Sequence, residues 1–269
     1  MRNSYDFKFG DFWLSELGGM MTESPTIEIA SRDVSFIDIP GKDGKDLVDN
    51  GRYDNVEFSR SIAFISKPGF NVKEKIVKAI DNIAYIRGYS NFEDTDHPDM
   101  FTKAAITNFS EINKTLRSMN TAELQFSRIP YWYSKVGQEE VDLLSSSVAS
   151  TKIYNPYGAT CKPLIKVYFN YTSGSISTGK VVITIWTNIN GEFFSFDINI
   201  PNTSIDQFKN VVSVDLDSRQ VYLQDYSGRE RDYIDIEIPA ELGQGEITFI
   251  RGLYQNLNKV SVIPRWRCL

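Results

Sequence analysis

From residue 151 onward the chain repeats one pattern, short apolar runs of period two separated by turn residues, with no helical spacing between them. Phe194, Phe196, Ile198 and Ile200 alternate strictly with Ser195, Asp197 and Asn199, which gives a strand one apolar and one wetted face. Related runs at 163–169, 181–187, 211–216, 221–223 and 247–250 are broken by turn formers such as Asn190-Gly191 and Asp217-Ser218. Short antiparallel strands without intervening helices bury their apolar faces only by stacking sheet on sheet. The second half is therefore expected to be a β-sandwich.

The first half mixes strand patterns with one helix. Asn71 stands at a capping position with Glu74 at capping-box spacing, and Val72, Ile76, Ile80, Ile83 and Ala84 recur on one helical face before Arg87 and Gly88 end it. A single apolar stripe is what a helix docked on a sheet requires, so no partner is needed to explain it. Residues 138–150, with Glu139-Glu140, Asp142 and Ser145-Ser146-Ser147, interrupt every apolar period and are expected to be a linker. The expected organisation is an N-terminal domain at 1–137, a linker at 138–150 and a C-terminal β-sandwich domain at 151–269. The last strand, with Pro264-Arg265-Trp266, is left open to return to the N-terminal domain.

Charge excludes some partners. The chain has 29 Lys and Arg against 35 Asp and Glu, a formal net charge of -6, and no basic run interleaved with aromatics, so tight DNA binding is not expected. No stretch approaches the ~20 apolar residues of a membrane span, and residues 1–6 lack the apolar core of a signal peptide, so membrane insertion is not expected and a cytoplasmic origin is. Cys161 and Cys268 form no C-x-x-C motif and are expected as reduced thiols.

Few residues suggest chemistry. Asp94, Asp96, His97 and Asp99 are dense enough to suggest a cation site, yet the same residues build exposed turns, and His97 is the chain's one histidine. A serine or cysteine nucleophile would need that histidine as its base. Asp215, Asp217, Asp235 and Glu237 could in principle pair for glycoside hydrolysis, but they alternate with Leu216, Ile236 and Ile238 as the solvated side of strands does. Phosphate-binding glycine loops are missing. No enzymatic activity, metal or cofactor is expected. Trp186, Tyr168 and Tyr171, with Phe193, are possible stacking faces for a saccharide, set against the commoner role of aromatics as sandwich core.

Residues 36–64 carry the remaining signal. Phe36, Ile37 and Ile39 lead into Pro40-Gly41-Lys42-Asp43-Gly44, a sharp turn, and Val56, Phe58, Ile62 and Phe64 lead out. Between them 45–53 is too charged for core and is expected to be an exposed excursion that something must bind. The run Ile39-Pro40-Gly41-x-Asp43-Gly44, then Gly51-Arg52-Tyr53 and Val56, resembles the N-terminal domain of siphophage distal tail proteins. Phe7-x-Phe9-Gly10, Leu17-Gly18, Pro68-Gly69, Leu124-Gln125-Phe126, Pro130-Tyr131-Trp132 and Pro264-Arg265-Trp266 follow in the order of that family.

The resemblance implies a mainly β fold with one helix, an N-terminal β-sandwich-like domain, and a galectin-like or carbohydrate-module-like sandwich after it. It also implies a virion tail-tip role: a homohexameric hub joining the tail tube protein to a tail-associated tip protein and supporting receptor-binding or baseplate proteins. Gly41, Lys42, Asp43, Gly44, Arg52 and Tyr53 then become candidates for an arm that crosses between subunits. A monomeric carbohydrate-binding adhesin is the alternative.

Overall fold

The structure, a computed structural model, describes residues 5–65, 72–109, 113–116, 119–145, 147–169, 176–177, 181–189, 192–200, 204–205, 211–224, 230–235, 241–251 and 257–269. It is mainly β, and the described residues contain one α-helix. The chain divides into two compact units, Met1–Trp132 with Leu269, and Tyr133–Cys268.

The first unit contains β1 (Phe7–Phe9), β2 (Phe12–Trp13), β3 (Met20–Met21), β4 (Arg32–Asp38), β5 (Lys45–Tyr53), β6 (Val56–Ile65), α1 (Val72–Ala84), β7 (Ser90–Asp94), β8 (Met100–Phe109), β9 (Asn113–Leu116) and β10 (Met119–Arg128). Its main sheet runs β2-β1-β7-β8-β10-β6-β3, with β9 also paired to β10. The longest ladder joins β10 to β6 from Met119 opposite Ile65 to Arg128 opposite Val56. Along β6, Val56, Phe58, Ile62 and Phe64 point inward, the alternation legible in the sequence.

Aromatic packing makes the centre of this unit. Phe58 stacks on Phe126 at 5.1 Å and meets Phe92 edge-on at 5.1 Å, while Phe7 stacks on Phe92 at 5.5 Å. Such pairs add roughly 0.5–1.5 kcal/mol each beyond the area they bury. On the helix, Ile76, Ala79 and Ile83 are buried and Val77 is exposed, so the stripe docks as expected. Asn71 and Pro68-Gly69 lie outside the described residues, as do the side chains of Val72, Ile80 and Ala84.

The second unit takes most of its strands into two sheets. They are drawn from β11 (Trp132–Ser134), which starts on the last residue of the first unit, β12 (Val141–Ser145), β13 (Ser150–Asn155), β14 (Leu164–Phe169), β15 (Ile176–Ser177), β16 (Val181–Ile189), β17 (Glu192–Ile200), β18 (Ser204–Ile205), β19 (Val211–Asp215), β20 (Gln220–Gln224), β21 (Glu230–Asp235), β22 (Gly245–Arg251), β23 (Leu257–Ile263) and β24 (Arg267–Cys268). One sheet runs β12-β23-β14-β19-β20-β21 and the other β13-β22-β16-β17. Ile165, Val167, Val212, Val214, Val260 and Val262 of the first meet Ile183, Ile185, Ile247 and Phe249 of the second in one core. The expected β-sandwich is present. Asn190-Gly191 lies outside the described residues, but Ile189 pairs with Glu192 across it, as a two-residue hairpin demands.

One sequence expectation needs correction here. Residues 138–150 are not a linker: they contain β12, part of β13 and the end of the 3-10 turn Val136–Gln138, and Leu143 and Leu144 are both in the core. A bulge between Asp142 and Leu144 in the β12–β23 ladder lets two consecutive residues face inward, which no period-two pattern reveals. β24 pairs with β11, and Pro264-Arg265-Trp266, whose destination the sequence leaves open, lies in the second unit. Trp266 packs in its core, its carbonyl accepts from the Ser134 N–H at 2.9 Å, and Arg265 forks onto Asp215 at 2.8 and 3.3 Å. Of the terminal residues only Leu269 groups with the first unit.

Candidate functional site

β4 and β5 form a two-stranded sheet of their own, separate from the main sheet. The excursion expected at 45–53 is thus a strand, and the correction is that it is ordered by pairing with residues 32–38 within its own chain. At the tip, Gly41 and Gly44 both adopt φ +83°, and the Lys42 N–H donates to the Ile39 carbonyl at 3.1 Å. At the root, the Asp54 N–H donates to the Ser31 carbonyl at 2.9 Å and Tyr53 meets Tyr131 edge-on at 6.2 Å. A seven-residue arm of this kind reaches ~24 Å. Gly41, Lys42, Asp43 and Gly44 therefore stand together at the tip, and Arg52 and Tyr53 at the other end.

Near the root the register shifts, and Asp33 stitches the irregular segment. It accepts from the Asn50 amide at 2.9 Å and from the Arg52 guanidinium at 2.5 Å, while the Gly51 N–H donates to Asp49. The Asn50 amide, followed by Arg52, holds the Asp33 carboxyl below its ordinary value. Every cation in the arm is matched inside it: Arg32 with Asp49, Lys42 with Asp46, Lys45 with Asp38 and Arg52 with Asp33.

The arm also presents bare apolar side chains. Phe36 lies directly across from Leu47, and they are 63% and 60% exposed. On the opposite face Ile37 and Val48 are exposed as well. Phe36, Ile37 and Ile39 read in the sequence as an ordinary strand lead-in, and the structure places them on the surface. No local signal distinguishes such a strand from a core one, because both are apolar.

A second apolar surface lies in residues 26–30 of the same unit. Here the usual arrangement is inverted, with Glu28 facing inward and Ile27 and Ile29 outward at 85% and 78% exposed. Two buried arginines impose it. Arg60 donates to the Glu28 carboxylate at 3.0 Å and lies 4.6 Å from the Phe58 ring centroid, and Arg128 donates to the Glu28 carbonyl at 2.8 Å and to those of Ile129 and Pro130. Leaving such carbonyls unsatisfied would cost ~1–3 kcal/mol each, which fixes the segment's facing.

The other sequence candidates are accounted for individually. Asp94 is buried and accepts from the His97 backbone N–H at 2.9 Å, His97 Nδ1 lies 3.0 Å from the same oxygen, and the imidazole stacks on Trp132 at 4.6 Å. The Asp94–Asp99 cluster is therefore a turn closed by its own side chains. Asp215 is held by Arg265 and Asp217 by Lys162, whereas Glu237 and the Asp235 side chain lie outside the described residues. Cys161 is fully buried, which pushes its thiol up to about 12, and neither cysteine forms a disulfide.

Of the saccharide candidates, the two whose side chains lie among the described residues are on different sheets. Tyr168 is on the six-stranded sheet, with the Lys259 ammonium 4.8 Å from its ring centroid and its hydroxyl donating to Glu140 at 2.7 Å. Trp186 is on the four-stranded sheet and is 49% exposed. Tyr171 lies outside the described residues.

No protein-family model matches the chain, and no curated protein matches it. Among solved structures the chain is similar in fold to the Dit protein of phage SPP1, described as a paradigm of the hub adsorption apparatus in Gram-positive infecting phages. The TM-score is 0.63 at 12% identity, over 96% of each chain. At that identity the likeness is one of fold, and it extends through both halves.

Proposed function

We propose that this chain is a non-enzymatic structural subunit of a phage tail tip, in which copies close into a homohexameric hub through the β4–β5 arm. The hub would join the tail tube protein to the tail-associated tip protein and support receptor-binding or baseplate proteins. The observation that carries the proposal is the arm itself, an ordered hairpin with Phe36 and Leu47 bare on one face and every cation already matched. Such a face is costly in an isolated monomer and useful in an assembly. The fold likeness to a hub protein supports the same reading.

Ring closure is heterologous, so it needs two different patches on each copy. The second patch is the Ile27–Ile29 surface, held outward by Arg60 and Arg128. Six copies at -6 each give a formal ring charge of -36, which would repel rather than retain DNA.

Native mass spectrometry tests the proposal. The intact chain is expected as closed hexamers, and Phe36→Asp with Leu47→Asp as a folded monomer with an unchanged unfolding temperature. A monomeric intact chain, or hexamers that survive both substitutions, would overturn it.

A further inference from the structure

The four-stranded sheet of the second unit has an outward face that the hub reading does not use. Inward from β16 and β22 go Ile183, Ile185, Ile247 and Phe249, so the alternate positions, Trp186 and Thr248, point out as a directly opposed pair. Across β22 on β13, Lys152 lies opposite Thr248 and Tyr154 opposite Glu246. Trp186 and Tyr154 are 49% and 66% exposed, with Ile250 exposed on the same face. A tryptophan at the centre of a sheet that is left half in water forgoes much of the apolar burial its ring could have.

Between the two rings the surface is polar and tightly supported. Asn188, Gln244 and Gly245 line two adjoining cavities of about 440 and 410 Å³, one extending to Tyr154 and Thr160 and the other to Trp186, Glu246 and Thr248. Both volumes fall in the range of small-ligand sites, ~300–1,000 Å³. Their shared residues Gln244 and Gly245 follow Gly243, which lines the first cavity and is fixed from beneath. The Gly243 N–H donates to buried Thr187 at 2.8 Å, its carbonyl accepts from buried Asn155 at 3.0 Å, and a Cβ there would fall 1.4 Å from the Asn188 carbonyl oxygen. Gly245 follows at φ +87°. A segment so constrained presents Asn188 and Gln244 in one place without ordering them on binding.

The chemistry of this face selects its ligand. Lys152 is matched to Glu246 at 2.7 Å, so among the described residues of this face no bare cation is offered to a phosphate or carboxylate. A protein anchor would require a continuous apolar rim to exclude water from the tryptophan, and among the described residues only Ile250 is apolar there, beside the hydrogen-bonding Thr248, Asn188, Gln244 and Glu246. A pyranose ring has the matching combination of an apolar C–H face and a rim of hydroxyls. From strand spacing and rise, Trp186 and Tyr154 are roughly 12 Å apart.

We propose that this face binds a neutral oligosaccharide of two or three pyranose units, with Trp186 and Tyr154 stacking on sugar rings and Asn188, Gln244 and Glu246 bonding the hydroxyls between them. The site lies within one unit and stands whether or not the chain forms rings. The intact protein is applied to an array of neutral hexose and N-acetylhexosamine oligosaccharides alongside phosphate-bearing glycans, and the strongest ligand is then titrated by tryptophan fluorescence. Binding to a neutral glycan is expected, weakened at least tenfold by Trp186→Ala and about fivefold by Tyr154→Ala, with unfolding temperatures unchanged because both residues are exposed. Binding untouched by Trp186→Ala, a preference for phosphate-bearing glycans, or no glycan bound at millimolar concentration would overturn the proposal. So would loss of a tail-protein contact in Trp186→Ala without any glycan affinity, which would make the face a protein docking surface.

Discussion

At the scale of single residues, the acidic groups that looked like a solvated spacer turn out to fasten sheets. Glu140 accepts from Lys166 at 2.6 Å, from Tyr168 at 2.7 Å and from Ser261 at 2.5 Å, so it ties the chain before β12 to β14 and β23. Burial works to raise its carboxyl, but the bonds from Lys166, Ser261 and Tyr168 outweigh it and hold the group at about 2. The same contact, after burial, pushes the Tyr168 hydroxyl up to about 12. A carboxylate depressed in the folded state contributes stability above its unfolded value and loses it as pH falls toward the folded one. Wild type should therefore exceed Glu140→Gln by about 1 kcal/mol at neutral pH, allowing for solvent screening of a partly exposed group, and the gap should close between pH ~4.5 and ~2. Denaturant unfolding of both proteins across that range measures it. A constant gap would show that Glu140 acts through shape and not through charge. Sequence could not reveal this role, because Glu139-Glu140 beside a serine run has the composition of a spacer, and the partners are ~26 and ~121 residues away.

Among elements, legibility followed the number of buried faces. β14, β16, β19 and β22 were readable because one face lies in the core and the period of two survives. β12 was missed because its bulge turns Leu143 and Leu144 the same way. β5 was missed for the opposite reason: with both faces in solvent, no selection for alternation acts, and Lys45, Asp46, Asp49 and Arg52 appear where a half-buried strand would have apolar positions. The turn at Pro40-Gly41 and Gly44 was legible because positive φ needs glycine, so the hairpin's tip could be read although its second strand could not. Trp186 was visible as a residue, but its exposure was not, and Tyr154 gave no signal at all until pairing placed it on the same face. The internal matching of the arm's cations has a measurable consequence. Assembly through Phe36 and Leu47 should draw on apolar burial and not on ion pairs across the interface, so the hexamer population at fixed protein concentration should change less than twofold between ~50 mM and ~500 mM salt. Sedimentation velocity over that range decides the matter. Rings that fall apart as salt rises would mean that the arm exchanges its internal ion pairs for intersubunit ones.

For the whole molecule, the assembly proposed here is a question of symmetry, and symmetry can be tested without imaging the ring. In a heterologous ring each interface uses one arm and one Ile27–Ile29 surface, and each copy supplies one of each. Phe36→Asp with Leu47→Asp spoils the arm and leaves the surface intact. Ile27→Asp with Ile29→Asp does the reverse, at positions where 85% and 78% exposure makes an aspartate tolerable to the monomer fold. Either variant alone is expected to be monomeric. Mixed in equal amounts they have one competent interface, the arm of the second on the surface of the first, and the resulting pair then presents only a spoiled arm and a spoiled surface. The mixture should therefore give heterodimers and nothing larger. An isologous contact, in which one patch meets its own copy, would predict no rescue on mixing. Mixing that restores full hexamers would show that the two surfaces are not the two halves of the interface, and the arm would have to dock elsewhere. Native mass spectrometry with one variant isotopically labelled separates these outcomes by mass alone.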